Sequence, residues 1–317
     1  MPRPGQTSPA NDRPHSIDEA ELQELLEEVR RIEAQSKRLV TDVLSGAYSS
    51  VFRGAGIAFD EVREYEEGDD PRRVDWNVTA RMGRPFVKKF VDEREQSVIF
   101  AIDVGPSMDA SFGALSARRI AARVVATLAL AAVRNGDKVG AIAFGAEVVR
   151  WVPPLRGLGH ALRIVRDTLA LRAPRASSAP SCAFELAART LRRRSVIFAV
   201  SDFLSGTGGR SLERCARRHD VIATWLQGPE LAAPPTGLWR VRDPHSGAER
   251  ELDLGSAAVR AFHAERVEAW RSSTRSAFER AGVDRLELAI PRERRREHIA
   301  DALLRFFRMR QLRGAKR

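Results

Sequence analysis

Two carboxylates that follow apolar stretches of the chain are the side chains best placed to do chemistry. Asp103 ends an apolar run over 98–103, Ser107 comes four residues later, and Asp202 follows a second apolar run over 195–201. Hard oxygen donors without His or Cys suit Mg²⁺, which proteins hold with one or two carboxylates and with hydroxyl or water oxygens. The sequence therefore predicts a divalent-metal site where the two runs end, with Asp103, Ser107 and Asp202 as ligands.

The same residue types also have a purely structural use. Asp and Ser at the ends of strands often cap the helices that follow, and capping would account for these three residues without a metal. Zinc is disfavoured, because the six histidines have no pair at ligand spacing and the two cysteines lack a metal-type spacing. Metal binding and helix capping both stay open at this point.

From residue 97 onward, apolar strands alternate with amphipathic helices. Strands are predicted near 98–103, 139–144, 148–152, 195–201, 220–226 and 284–290. Helices are predicted near 113–134, 157–170, 182–193, 211–218, 257–281 and 294–312. This order predicts an α/β fold with a doubly wound, mostly parallel sheet, in which ligands bind beyond the strand ends where the strand order reverses. Asp103 and Asp202 would meet there if their strands are neighbours.

Two further zones precede this alternation. Residues 1–16 are polar and without periodicity, as disordered leaders are. Residues 17–96 combine a small acidic amphipathic helix with a β-rich segment, in which alternating runs over 57–63 and 85–91 predict antiparallel strands rather than helix. Residues 97–317 would then form the α/β domain, closed by a basic C-terminal helix.

Positive charge is concentrated at the C-terminus. The formal net charge is +11, and the segment from Arg292 to Arg317 contains ten basic and three acidic residues. A closing helix with a solvated basic face explains this pattern, and binding of nucleic acid or an anionic surface through the tail is the alternative. Nucleic acid is the less favoured partner, because the rest of the sequence has no basic groove with interleaved aromatic residues.

Several function classes lack their sequence signals. The chain has no phosphate-loop Gly-Lys-Ser/Thr, no dinucleotide fingerprint after Gly54 and Gly56, and no Gly-x-Ser-x-Gly elbow, so we expect no enzymatic activity. The longest apolar run, 124–133, is too short to span a membrane. Because the polar start does not resemble a signal peptide and the two cysteines suit a reducing compartment, we expect a cytoplasmic protein.

A segment dense in charge precedes the first α/β strand. It interleaves acidic and basic side chains with aromatic residues and glycine, namely Arg63, Glu64, Tyr65, Gly68, Asp69, Asp70, Arg72, Asp75, Trp76 and Arg81. We favour a buried ion-pair network that fixes a loop over a direct partner surface. Asp69 and Asp70 could serve as paired carboxylates in acid–base chemistry, but nothing near them in the sequence supplies a nucleophile.

This segment closely resembles the signature of a bacterial family known as domain of unknown function fifty-eight, and the resemblance covers roughly residues 40–310. The strand that ends at Asp103 resembles the first strand of a von Willebrand factor A domain with its metal-ion-dependent adhesion site. In that motif the first loop reads Asp-x-Ser-x-Ser, and Gly105 stands here at the first serine. The resemblance implies a von Willebrand factor A-like, Rossmann-like sheet and four Mg²⁺ ligands: Asp103, Ser107, Ser181 at the motif's threonine position, and Asp202.

The resemblance also implies a role in protein interaction without enzymatic activity. Genes of this family commonly lie beside those of MoxR-type AAA+ ATPases, and the two proteins are thought to act together in chaperone-like maturation or remodelling of other proteins. We therefore expect a MoxR-type AAA+ ATPase and an unidentified protein substrate as partners. In adhesion-type sites the open position on the metal accepts an acidic residue of the partner, so docking would depend on Mg²⁺.

Overall fold

The computed structural model describes residues 19–40, 48, 51–52, 57–66, 69, 74–92, 96–110, 115–231, 236–292 and 298–314. The predicted leader over 1–16 lies outside the described residues. The helices are α1 (Glu19–Leu39), α2 (Trp76–Met82), α3 (Ala117–Arg134), α4 (Leu158–Ala170), α5 (Pro180–Thr190), α6 (Gly209–Arg218), α7 (Ala257–Ala281) and α8 (His298–Gly314). The strands are β1 (Ile57–Glu64), β2 (Phe86–Asp92), β3 (Ser97–Asp103), β4 (Lys138–Phe144), β5 (Val148–Leu155), β6 (Val196–Ser201), β7 (Asp220–Gln227), β8 (Leu238–Arg242), β9 (Glu249–Asp253) and β10 (Asp284–Ala289).

Six strands form the central sheet in the order β10-β7-β6-β3-β4-β5. All neighbouring pairs are parallel except β4 with β5. The chain moves outward from β3 through β4 to β5, returns to β6 on the other side of β3, and continues through β7 to β10. The strand order therefore reverses between β3 and β6, and this reversal is the ligand-binding position of a doubly wound sheet. The predicted fold class is confirmed.

Helices cover both faces of this sheet. On one face, α1, α3, α4 and α8 contribute buried side chains that include Ile32, Val125, Ile164 and Leu303. On the other face, α5, α6 and α7 contribute Phe184, Leu212 and Phe278. Strands buried on both sides must be apolar throughout, which explains the continuous Val, Ile, Ala and Phe runs in the sequence. No helix in the described part of the chain is both long and apolar enough to cross a bilayer.

The segment before β3 contains one element that differs from the expectation. Strands β1 and β2 pair antiparallel, as expected. Between them lies α2, a helix for which no element was predicted. Asp75 caps the start of this helix by accepting the N–H of Asn77 at 3.0 Å, and Gly83 ends it in the left-handed region at φ 68°. Two capping residues therefore define a helix too short for a periodicity argument to find. The hairpin of β8 and β9 was not predicted either.

The N-terminal helix α1 belongs to the main core. It packs on α3 and α4, where Ile32 is fully buried and the Thr127 hydroxyl donates to the Ser36 hydroxyl at 3.2 Å. Farther along the chain, the Phe52 ring meets the Phe307 ring edge-on, with centroids 5.8 Å apart. These parts of residues 17–96 therefore share one core with residues 97–317.

Candidate functional site

Asp103, at the carboxyl end of β3, is buried and surrounded by hydrogen-bond donors. Its side chain is 2% exposed. Oδ1 accepts the Gly105 N–H at 2.8 Å and the Ser178 hydroxyl at 2.7 Å, and Oδ2 accepts the Ser201 hydroxyl at 2.7 Å. Burial raises the pKa of Asp103, while these hydrogen bonds and the charge of Arg118 oppose the shift. The result is a buried carboxylate with a serine oxygen next to each of its own oxygens.

Asp202 follows β6 and forms the second half of the site. Its Oδ1 accepts the Leu204 N–H at 2.9 Å, and the Ser107 hydroxyl also hydrogen-bonds the carboxylate. Burial, followed by the negative charge of Asp103, raises the pKa of Asp202 to about 6, and His245 on the turn after β8 opposes this shift. The reversal of strand order thus brings Asp103 and Ser107, which share one loop region, next to Asp202, which is far from them in the sequence.

Ser178 occupies the space that a side chain at position 105 would need. A Cβ on Gly105 would come within 2.2 Å of the Ser178 Oγ and within 2.9 Å of the Asp103 Oδ1. A larger residue at this position would therefore collide with a hydrogen-bonded hydroxyl. The Ser178 hydroxyl, on the loop before α5, therefore lies beside Asp103 where a side chain at position 105 would be.

Ser181 lies in the first turn of α5 and is partly buried. Within the described residues, the Ser178 and Ser201 hydroxyls reach Asp103, and no hydrogen bond joins the Ser181 side chain to Asp103 or Asp202. Ser181 as a ligand stays a prediction, and Ser178 is the better placed hydroxyl. The only signal in the sequence was the pair Ser177-Ser178, which is separated by Ala179 from Pro180 at the start of the helix.

Arg118, near the start of α3, fixes the loop that follows β3. Its side chain is 2% exposed. It donates hydrogen bonds to the Asp109 carboxylate from Nε at 2.5 Å and from Nη2 at 2.9 Å. The same guanidinium donates to the carbonyl oxygens of Val104 at 3.2 Å, Gly105 at 3.4 Å and Leu171 at 2.7 Å. These bonds tie the Asp103 loop to the end of α4. Sequence reasoning missed Arg118, because its contacts depend on loops far apart in the chain.

The donor set fits Mg²⁺ on chemical grounds. A serine hydroxyl has one proton and two lone pairs, so Ser178 and Ser201 can donate to Asp103 and still offer a lone pair to a cation. In the described part of the chain, no group of three or more His, Cys, Asp or Glu side chains could hold a metal. The hydroxyl oxygens would therefore have to complete a site built on two buried carboxylates, and such hard donors favour Mg²⁺ over zinc.

The charged segment over 63–81 is held together in part by ion pairs and hydrogen bonds. Arg63 pairs with Asp69 at 2.7 Å, and the Tyr65 hydroxyl donates to the backbone oxygen of Asp69 at 3.1 Å. The turn from Glu66 to Asp69 lowers the pKa of Asp69, chiefly through the backbone N–H of Glu66. These contacts and the Asp75 helix cap hold the local structure together, but the Arg63–Asp69 pair is partly exposed rather than buried, so the buried network stays a prediction.

Other residues of the segment face solvent. Trp76 is 72% exposed, Arg81 is exposed, and Glu64 forms a surface ion pair with Arg84 at 3.2 Å. Three predicted members, Gly68, Asp70 and Arg72, lie outside the described residues.

Comparison with known proteins assigns the family. A family model described as "Protein of unknown function DUF58" matches residues 61–273, which is more than half of the chain. The chain belongs to the DUF58 family. Uncharacterized proteins of Mycobacterium bovis and Mycobacterium tuberculosis are each 30% identical to this DUF58 protein over 282 residues, covering 87% of this chain and 87% of the relative.

Solved structures resemble this DUF58 protein only loosely. The conserved hypothetical protein BatB from Bacteroides thetaiotaomicron is 15% identical, with a TM-score of 0.41, over 68% of this chain and 98% of that one. An aerotolerance-related membrane protein from Bacteroides fragilis is 16% identical, with a TM-score of 0.36, over 58% and 99% of the two chains. Similarity at these TM-scores is too low to support a conclusion about this protein. The fold class is established instead by the strand order described above.

The basic tail of this DUF58 protein is part of the fold where it is described. Arg310 of α8 pairs with Asp220 at 2.7 Å and with Asp284 at 3.2 Å, and Arg313 pairs with Asp284 at 2.7 Å. Phe307, on the same helix, is buried in the core. The described part of the tail therefore forms the closing helix that was predicted. Residues 293–297 and 315–317 lie outside the described residues.

Proposed function

We propose that this DUF58 protein is a non-enzymatic protein-interaction module that docks through an Mg²⁺ site at the ends of β3 and β6. The observation that carries the proposal is the pair of buried carboxylates, Asp103 and Asp202, which meet at the reversal of strand order among serine hydroxyls. Two carboxylates in a buried place repel each other, and a cation would relieve that repulsion. A cap for the following helices requires no such pair.

In this proposal each residue has a defined task. Asp103 orients the hydroxyls of Ser178 and Ser201 by accepting hydrogen bonds from them, and Asp202 does the same for Ser107. Arg118 holds the Asp103 loop in position through its backbone carbonyls. Bound Mg²⁺ would supply an open coordination position to an acidic side chain of the partner. Water is largely excluded around the two carboxylates, which strengthens electrostatic attraction at this point.

We further propose a MoxR-type AAA+ ATPase as the partner and an unidentified protein as the substrate of chaperone-like maturation or remodelling. The family resemblance supports this step, together with the lack of a phosphate-loop motif, which would require ATP hydrolysis to come from another chain. We place the protein in the cytoplasm, where Cys182 and Cys215, both free here, would stay reduced.

Calorimetric titration with MgCl₂ tests the metal site directly. We expect wild type to bind Mg²⁺ and Asp202→Asn to bind at least about tenfold more weakly, because a charged ligand is lost. Asp301→Asn is the matched control, since it removes the same charge from an exposed position on α8, and it should bind like wild type. Wild type that binds no Mg²⁺ would refute the metal site.

Affinity capture from native lysate, with Mg²⁺ in one arm and EDTA in the other, tests the partner. Recovery of an AAA+ ATPase only with Mg²⁺, and its loss with Asp202→Asn, is the expected result. Equal recovery in both arms would keep the partner but contradict docking through the metal, and would shift attention to the surface around Trp76. Failure to recover an AAA+ ATPase in either arm would argue against the partner itself.

A further inference from the structure

A second charged surface, whose lining does not include the carboxylate pair, lies on the face of the sheet covered by α5 and α6. A groove of about 630 Å³ runs between these two helices. Phe184 and Ala188 of α5 form its floor, and arginines form its rim. The rim arginines on the two helices are exposed: Arg189, Arg210, Arg214, Arg217 and Arg218.

Most of this positive charge is not neutralised by the fold. Arg214 approaches Glu185 only to 4.0 Å, between side chains that are 67% and 51% exposed, and Arg218 donates to the backbone oxygen of Ala188 at 2.6 Å. Among the residues that the structure describes, Arg189, Arg210 and Arg217 form no ion pair. The groove therefore presents guanidinium groups that are free to bind another molecule.

The arrangement of the arginines is unfavourable for α6 itself. Arg210, Arg214 and Arg218 follow one another at intervals of four residues, and like charges at that spacing destabilise a helix by roughly 0.2–0.5 kcal/mol per pair. Arg218 lies in the last turn, where the helix dipole favours a cation, but Arg210 lies in the first turn, where it does not, and that turn has no acidic residue. An anionic ligand would offset this repulsion.

The contents of the groove favour a peptide over a nucleic acid. The carboxylates of Glu185 and Glu213 interrupt the row of arginines, so a continuous phosphate backbone would lie against them, whereas carboxylates spaced along a peptide need not. The aromatic ring at the floor, Phe184, is only 1% exposed and offers no face on which a base could stack. Separate carboxylates, in contrast, can each pair with the planar fork of one arginine.

We propose that the groove between α5 and α6 binds an acidic peptide segment of a partner protein. The length of α6, 10 residues, corresponds to about 15 Å, which an extended segment of about five residues would span. Carboxylates of that segment pair with Arg189, Arg214 and Arg217, while its backbone lies over Phe184 and Ala188. This site is separate from the carboxylate pair and requires no metal.

Fluorescence anisotropy with a labelled peptide of alternating Glu and Asp tests the groove in EDTA, so that failure of the metal proposal leaves this result unaffected. Arg189→Gln, Arg214→Gln and Arg217→Gln are combined in one full-length variant. Each lost pairing should weaken binding about threefold, and the triple variant should therefore bind at least about tenfold more weakly. The control variant combines Arg119→Gln, Arg305→Gln and Arg308→Gln, which remove equal charge from exposed positions on α3 and α8.

The outcomes are distinct. A loss confined to the groove variant supports the proposal. Equal loss in both triple variants would mean that the net charge alone attracts the peptide, and wild type that does not bind would also overturn the proposal. Tighter binding of single-stranded oligo-dT than of the peptide, lost in the groove variant, would identify a nucleic-acid site instead. If the triple variant unfolds, Arg217→Gln alone must still weaken binding about threefold.

Discussion

At the scale of single residues, the hydroxyl of Ser178 holds one oxygen of the buried Asp103. We expect Ser178→Ala to lower the free energy of unfolding by about 1.5–3 kcal/mol in EDTA, because a hydrogen bond to a buried charged group is lost without replacement. Urea unfolding followed by circular dichroism measures this change. Ser181→Ala is the matched control and should change stability by less than about 0.5 kcal/mol. Equal effects of the two substitutions would show that Ser178 has no special role at Asp103.

His219 makes stability depend on pH in a definite direction. It is 2% exposed, and its Nδ1 accepts the Ser195 N–H at 3.3 Å, which requires that nitrogen to be unprotonated. Burial, followed by the charges of Arg218 and Arg194, lowers the pKa of His219 below its usual value of 6.5. The unfolded chain then binds the additional proton as the pH falls. The contribution of His219 to stability is therefore complete above the pKa that His219 has in the unfolded chain. It is lost as the pH falls toward the lower pKa that His219 has in the folded protein.

The corresponding measurement compares unfolding free energies at about pH 7.5 and about pH 5.5. Wild type should lose more stability between the two than His219→Gln, since the variant has no group that titrates at this position. His160→Gln, which changes a histidine that is not fully buried, should lose as much as wild type. If wild type and His219→Gln lost the same unfolding free energy between the two pH values, this role of His219 would be contradicted.

At the scale of elements, Arg118 connects the start of α3 to the loops after β3 and after α4. We expect Arg118→Met to destabilise the protein by about 3 kcal/mol or more, because several backbone carbonyls and Asp109 lose a buried partner. Arg119→Met changes the neighbouring residue, which is exposed, and should have little effect. Chemical unfolding of both variants measures the difference. A similar small loss in the two would mean that water replaces the guanidinium at these carbonyls.

The elements that could be predicted are those whose signal is local. The apolar runs ending at Asp103 and Asp202 sufficed for the strands, since a strand buried on both faces is apolar along its whole length. Helix α2 was missed because two caps, not periodicity, define it. The partners Ser178 and Arg118 were missed for another reason: their contacts arise only when loops from distant parts of the chain meet at the reversal of strand order.

At the scale of the whole molecule, positive charge is distributed differently in space than along the sequence. The C-terminal tail contains many basic residues, yet its Arg310 and Arg313 are neutralised by Asp220 and Asp284. Among the described residues, Arg189, Arg210 and Arg217, which form no ion pair, lie instead at the α5–α6 groove. Counting charged residues shows where charge lies along the sequence. Only the folded structure shows which of those charges form ion pairs.

The packing of Phe52 bears on whether the N-terminal segment folds separately from the rest of the chain. Phe52 is 2% exposed, and its ring lies 4.9 Å from Tyr48 and 5.8 Å from both Phe198 and Phe307. We therefore expect Phe52→Ala to cost about 3–5 kcal/mol, as the loss of a large buried ring does. Because the residues around it come from β6 and α8, the whole protein should unfold in one transition at a lower temperature.

Differential scanning calorimetry, with tryptophan fluorescence as a second probe, tests this expectation. Phe262→Ala removes the same ring from a position that is 62% exposed and should leave the midpoint nearly unchanged. If Phe52→Ala instead melts one part of the chain early and leaves a second transition at the wild-type temperature, the N-terminal segment would be an independent unit. A single shifted transition, seen by both probes, would mean that the charged segment and the carboxylate pair are carried by one cooperative body.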